Sequence, residues 1–385
     1  MGAPRQSATP LEHQFTGPLY TLGVEEELMI VDARTMDLVS AIEEMMVDVP
    51  PETEGQVKPE LMQSVLEIAT DVCRNAGEAA GQLEELRRRV RETAEKKSLT
   101  IGSAGTHPFA RWEDQQIVER ERYHEILDAL GFVARQELLF GLHVHVGIDD
   151  PEKAIHVANG MRVHIPILLA LSANSPFWRA MPTNMMSART PLFRLLPRVG
   201  VPQRFDGWSD YQRRIEFMVD AGAVADYTYL WWDVRPHPRL GTIEVRCCDA
   251  QTRLEHTIAI AALIQAMCKE LAEHHEAGYE LGTFPHELLE ENKWLAARYG
   301  LEGELIDLPK SARVPARELA RRLVERLQPH AAEMGGEREL EMITDLIEHG
   351  TGAERQLAEW RASRDLRALV GRIVESTAGK SRAGA

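Results

Sequence analysis

Cysteine is scarce in this chain: four residues in 385, namely Cys73, the adjacent Cys247 and Cys248, and Cys268. No CxxC pair and no spaced framework joins them, which excludes a disulfide-stapled secreted module and points to reduced, mostly buried thiols. A chain of this length buries roughly three quarters of its unfolded surface and needs no such staples. Long apolar runs are missing too. The longest, Ile165 to Ala173, is broken by Pro166 and flanked by His164 and Asn174, well short of the ~20 residues of a membrane-spanning helix. The opening MGAPRQSATPLEHQFTGP lacks the apolar centre of a secretory signal, so it reads as a flexible lead-in, with the cytoplasm as the default location. Positive charge is in deficit, 44 Lys and Arg against 60 Asp and Glu for a net charge of −16. That balance argues against nucleic acid or an anionic membrane as partner, because both reward cationic surface. Small molecules remain, and a homo-oligomer stays open.

No internal repeat, low-complexity tract or Pro/Gly/Ser linker divides the chain. The expected organisation is a lead-in over residues 1–18, one main unit over 19–300, and a helical extension over 301–385 packed on it. Helical periodicity predicts helices over Ala76 to Lys97, Asp114 to Leu130, Pro151 to Ser172, Leu254 to Glu276 and Pro285 to Tyr299. Strand-type runs lie at Tyr20 to Asp32, Ser64 to Cys73, Thr100 to Gly102, Gly141 to Ile148 and Gly241 to Cys247. Strands do not alternate regularly with single helices, so an α+β fold with an antiparallel sheet is expected over a doubly wound parallel one.

The chemistry sits in those strands, where side chains alternate between two faces. In GVEEELMI, Glu25 and Glu27 share a face while Leu22, Val24, Leu28 and Ile30 take the other, which leaves Glu26 on the apolar side without an account. An edge strand whose charges discourage aggregation is the plainer reading of this segment. In GLHVHVGI, Leu142, Val144, Val146 and Ile148 point one way, and His143 and His145 point the other. Two imidazoles in register reach one metal or anion, and Gly141 and Gly147 leave room for a ligand. In GTIEVRC, Glu244 and Arg246 share the polar face, either as a simple ion pair or as a carboxylate beside a guanidinium aimed at phosphate. Glu60 and Glu67, in PELMQSVLEIAT, fit a solvated helical stripe or a strand from about Ser64. In both cases they add two carboxylates to a shared site.

A sheet with one face of carboxylates and imidazole is a floor for divalent cations, and oxygen-rich ligation suits Mg²⁺ or Mn²⁺ over Zn²⁺. Because Mg²⁺ is usually held by a few carboxylates plus substrate phosphates, phosphoryl transfer leads. No GxxxxGK[ST], GxGxxG after a strand, HExxH or GxSxG is present, so P-loop, dinucleotide-binding, zincin and serine-hydrolase readings lack local support. Two other classes stand beside it: a metal-dependent amide or ester hydrolase on the same carboxylate–histidine site, and a nucleotide-retaining protein without turnover.

An ordered set of segments, GVEEEL, PELMQSVLEIATDVC, GTHPFA, GLHVHVGI, ANSPFW, SART, GTIEVRCCDAQTR and ENKWLAARYG, resembles the carboxylate-amine ligase family, also called type 2 glutamate-cysteine ligases, of the glutamine synthetase superfamily. It runs from about Leu19 to Tyr299. The resemblance implies a glutamine synthetase-like α+β fold, with a curved antiparallel sheet forming an active-site funnel and helices on its outer face. It further implies that ATP, with Mg²⁺ or Mn²⁺, phosphorylates an amino-acid side-chain carboxylate such as that of glutamate. An amine, for instance that of cysteine, then displaces the phosphate, releasing ADP and phosphate. By the same resemblance Glu25, Glu27, Glu60, Glu67, His143 and Glu244 are metal ligands. Arg246, with Glu244, is catalytic and stabilises the transferring phosphoryl group, while Arg189 and His145 bind substrate. Asn292 and Arg298 lie in a shared segment without a role that can be derived.

Overall fold

Strand β1, Leu22–Asp32, sets the architecture. Leu22, Val24, Glu26, Leu28 and Ile30 are all buried on one face, and Glu25 and Glu27 turn to the other, as a period of two requires. The computed structural model describes residues 11–379. Six further strands complete the sheet: β2 (Val57–Pro59), β3 (Val65–Ala69), β4 (Leu99–Gly102), β5 (Gly141–Gly147), β6 (Val234–His237) and β7 (Thr242–Asp249). Their order is β6-β7-β5-β1-β3-β2, with β4 also on β1, and every pairing is antiparallel. The fold is the expected α+β type.

Four helices cover the apolar face: α1 (Ala76–Glu95), α2 (Pro151–Met161), α3 (Ile165–Ser172) and α4 (Leu254–Glu276). Helix α1 starts where the Asn75 side chain accepts the Glu78 amide, satisfying one of the donors a helix start leaves unpaired. It buries Ala79, Leu83, Leu86 and Val90, one helical stripe. Helix α4 is buried along most of its length. Outside this layer lie α5 (His286–Tyr299), α6 (Ala316–Glu333), α7 (Gly352–Ser363) and α8 (Leu366–Thr377). Beyond Glu27 the second sheet face turns apolar as well. Met29, Val31, Val65 and Phe140 form a smaller core there, closed by Leu369, Val370 and Ile373 of α8.

Several expectations need correction. The lead-in over 1–10 lies outside the described residues, but residues 11–18 are anchored: Phe15 is buried edge-on to Trp208 and Gln14 donates to the Pro238 carbonyl. The stretch Asp114 to Leu130 is helical only from Glu121, because residues 116–118 bond instead to Leu61 and Gln63. Pro151 to Ser172 is two helices bent by 62°, since Pro166 can neither donate to nor fit against the preceding turn. The strand from Ser64 stops at Ala69. The region after Leu301 includes a hairpin, Glu304–Asp307 with Ala312–Pro315, besides its helices. No single helix among the described residues is long and apolar enough to cross a membrane.

Glu26, unexplained by the strand pattern, is answered from α1. Arg87 donates to both carboxylate oxygens at 2.6 and 2.8 Å, and Thr257 of α4 donates a third bond. The same guanidinium donates to the Gln251 and Thr252 carbonyls at 2.9 and 3.1 Å. Both side chains are buried, so the pair joins sheet, helix and the segment after β7. Removing one partner strands a charge in the core. Arg87→Ala is expected to destabilise by about 3–5 kcal/mol, and the double replacement Glu26→Leu with Arg87→Met to recover most of it. Urea unfolding of the three variants checks this; a double variant no more stable than Arg87→Ala contradicts it.

Candidate active site

Cross-strand partners in an antiparallel sheet point to the same face, so register alone assembles the site. Glu25 lies opposite His143, Glu27 opposite Glu67, and Glu67 opposite Lys58. On the other side of β5, His145 lies opposite Glu244, which lies opposite Arg235. His143 Nδ1 is 3.3 Å from a Glu25 oxygen. His145 Nε2 sits 3.7 Å from Glu25 and 3.9 Å from Glu244. One potential ligand atom each from Glu25, His143 and Glu244 falls within 4.8 Å of the others. Thus six of the seven strands, all but β4, contribute to one polar floor.

A β-bulge shapes its end. The register of β7 on β5 shifts between Val245 and Cys248, so Arg246 and Cys247 together oppose His143. Bulges re-aim side chains beside functional sites; here the Arg246 guanidinium folds back onto Glu244. Arg235 grips the other Glu244 oxygen at 2.6 Å. Behind the bulge, Arg246 donates its amide to the Asp233 carbonyl at 2.8 Å. The Asp233 carboxylate is held by Lys293 of α5 at 2.7 and 2.9 Å. Arg189 comes in from a short helix, Arg189–Phe193, and donates to the Arg246 carbonyl at 3.4 Å. The Nε atoms of Arg189 and Arg246 are buried without a hydrogen-bond partner. A cavity of about 440 Å³ opens at the other end, lined by Glu25, Lys58, His145 and Thr242 among others.

Electrostatics divide the carboxylates into two groups. Burial opposes ionisation of Glu244, but Arg235 and Arg246 hold it well below the usual carboxylate range. Burial likewise works against Glu25, and the bonds and charges of His143 and His145 bring it well below that range. The others lack enough positive charge. Burial and then the charge of Glu25 push Glu67 up to about 7, despite Lys58. Burial and the charges of Glu67 and Glu27 push Glu60 well above its ordinary value. Burial and the Arg246 charge lower His143; burial also opposes the His145 imidazolium, but Glu244 and Glu25 outweigh it and raise that residue. Carboxylates crowded beyond the reach of protein cations are what a divalent cation neutralises.

All the sequence-derived residues, Glu25, Glu27, Glu60, Glu67, His143, His145, Arg189, Glu244 and Arg246, gather on or beside this face. One reading changes. Gly141 and Gly147 do not leave room for a ligand: a Cβ at Gly141 would lie 2.5 Å from the Arg189 guanidinium, and one at Gly147 would lie 2.4 Å from Thr21. Asn292 lies outside the site, exchanging hydrogen bonds with both backbone groups of Ile306 at 2.8 and 3.0 Å; Arg298 bonds to Asn184. Sequence reasoning missed Arg235, whose alternation in DVRPH was readable but interrupted by Pro236. It also missed Glu137, pushed up to about 7 by burial and Glu27 against Arg246 and Arg189. Glu137 follows a helix end and carries no periodic signal.

Residues 21–375 match the model of glutamate-cysteine ligase family 2. A Rubrobacter xylanophilus protein, named provisionally as glutamate–cysteine ligase 2-1, is 45% identical over 96% of this chain and 97% of its own. A Sorangium cellulosum protein, named provisionally as glutamate–cysteine ligase 2, is 42% identical over 93% and 96%. Among solved structures, the glutamate–cysteine ligase of Francisella tularensis in complex with AMP superposes with a TM-score of 0.69 at 13% identity, covering 94% of this chain and 90% of that one. A bifunctional glutathione synthetase from Pasteurella multocida gives 0.65 at 14% identity, covering 94% and 53%. At such identities these two share the fold.

The crowded carboxylates give a pH signature. Glu67 ionises near 4.3 when unfolded and at about 7 when folded. The folded state therefore binds the proton more tightly, and the stability this contributes is complete below about 4.3 and lost as pH rises through about 7. In chelator, thermal melts between pH 5 and 8 should fall more steeply for the wild type than for Glu67→Gln, and saturating Mg²⁺ or Mn²⁺ should flatten the wild-type slope. Equal slopes for both proteins contradict the electrostatic account.

Proposed function

We propose that this chain, which belongs to glutamate-cysteine ligase family 2, is an ATP-dependent carboxylate–amine ligase that joins the side-chain carboxylate of glutamate to the amine of cysteine. The observation that carries the reading is one juxtaposition: a floor of carboxylates and imidazoles beside two guanidiniums whose buried Nε atoms have no partner. No observation favours the hydrolase.

The donor set fits Mg²⁺ or Mn²⁺, being rich in carboxylate oxygen with one imidazole in the cluster, and Glu25, His143 and Glu244, with Glu27, Glu60 and Glu67 beside them, would hold it. Bound there, the cation would neutralise the charge of the ATP phosphates and of the group in transfer. Glu244 also anchors the two arginines, because both of its oxygens accept from them. In the first step an oxygen of the substrate carboxylate bonds to the γ-phosphorus and the bond to ADP breaks. Arg246, fixed by Glu244 and by the bulge, directs its guanidinium at the charge spreading over the phosphoryl oxygens. In the second step the amine nitrogen bonds to the acyl carbon, phosphate leaves, and the nitrogen sheds a proton. Arg189 orients the carboxylate substrate and His145 contacts substrate from the floor of the cavity.

Turnover with glutamate and cysteine should release ADP and phosphate, because activating the acid requires one phosphoryl group. Release of AMP and pyrophosphate would contradict the acyl-phosphate route, and amide hydrolysis without nucleotide would contradict ligation. Arg246→Lys keeps the charge but loses the planar fork. It should lower kcat on the order of 10²-fold or more while the Mg²⁺ dependence stays unchanged. A fully active but less stable Arg246→Lys enzyme would remove Arg246 from catalysis.

A further inference from the structure

Four of the shared sequence segments, GTHPFA, ANSPFW, SART and ENKWLAARYG, gather around one buried carboxylate. Asp249, the last residue of β7, lies opposite Gly141 and is fully buried, and its hydrogen bonds go away from the carboxylate floor. One of its oxygens accepts from the Ser175 hydroxyl at 2.7 Å and the Asn174 amide at 2.8 Å; the other accepts from the Ser187 hydroxyl at 2.9 Å. Asn174 and Ser175 belong to ANSPFW, and Ser187 begins SART. Arg189 then donates its own amide to the Ser175 hydroxyl at 3.1 Å, so a single acceptor bond separates Asp249 from the backbone of Arg189.

The remaining segments enclose this cluster. Gly105 of GTHPFA packs so closely that a Cβ would lie 2.6 Å from the Asp249 carboxyl carbon. Met186 and Ser187 both donate to the Ala297 carbonyl at 2.9 Å, one of the carbonyls that the end of α5 leaves open. Gln356 of α7 donates to the Asn174 carbonyl and side-chain oxygens at 3.0 and 2.8 Å. The C-terminal extension is thereby joined to the segment that carries Asn174 and Ser175. A carboxylate this buried loses hydration on every side and is tolerated when its acceptors are filled.

We propose that Asp249 is the positioning residue for Arg189, fixing its guanidinium in the space Gly141 leaves open and so setting the grip on the carboxylate substrate. It acts through Ser175 and Ser187 and touches no reactant. The kinetic part of this proposal rests on the function proposed above; the structural part does not.

Two measurements on the full chain test it. Hydrogen exchange read by mass spectrometry should show the Ser187–Phe193 segment of Asp249→Asn exchanging faster, with β1 and β5 unchanged. Kinetically, Asp249→Asn should raise the KM for glutamate on the order of 10-fold or more and shift the KM for ATP by less than about 2-fold, the scale expected when a binding group is misplaced. Introduced into Arg189→Ala, the same substitution should add less than about 2-fold, because the residue it positions is gone. Ser187→Ala, which removes one of the three bonds, should show a smaller change of the same kind, and it serves if Asp249→Asn fails to fold. Unchanged exchange in the segment, or an equal loss with and without Arg189, overturns the proposal. A wild-type chain inert towards glutamate would count against the proposed function, while the exchange result would still decide whether Asp249 positions Arg189.

Discussion

Everything in this structure depends on how charge is carried on the face of a β-sheet. An antiparallel ladder places cross-strand partners side by side, so carboxylates at alternate positions of β1 and β3 must meet. Glu27 faces Glu67 and Glu25 faces His143 because register leaves no choice. Like charges in a partly buried row repel unless cations neutralise them. The fold supplies cations at one end, where Arg235 and Arg246 enclose Glu244. It undersupplies them at the other, where Glu60 and Glu67 are pushed upward. This imbalance is what supports the proposed cation site over a set of ion pairs.

The supporting structure keeps each charged group in place by filling its bonds from behind. Glu26 faces the helices and is matched by Arg87 and Thr257, which fixes β1 against α1 and α4. Asp233 and Lys293 brace the bulge that turns Arg246, and Asp249 braces the loop that turns Arg189. Buried pairs of this kind add little net stability compared with apolar packing, but removing one member is costly. Their effect is to define one geometry for the two arginines.

How much was legible in the sequence follows from the same physics. Strands with one apolar face, such as GLHVHVGI, announce both their state and their polar residues, and those residues meet in space. Helices α1 and α4 were readable from long apolar periodicity. Glu26 was not, because its partner Arg87 is 61 residues away and sits within a helical charge run. Arg235 was hidden by Pro236 in a short edge strand. The glycines of β5 misled, since sequence shows that space is needed but not whether a ligand or an arginine takes it. Asp249 gave no pattern at all: its meaning lies in three acceptor bonds to segments far away along the chain.

The central claim is that strand register builds a divalent-cation site that presents ATP to a carboxylate. Its most direct test is anomalous diffraction from crystals of the full chain grown with Mn²⁺ and ADP. The account predicts a Mn²⁺ peak in coordination distance, roughly 2.0–2.6 Å, of Glu25 or His143, with the phosphates of ADP on the same sheet face. Manganese bound only away from that face, with ADP elsewhere, would contradict it.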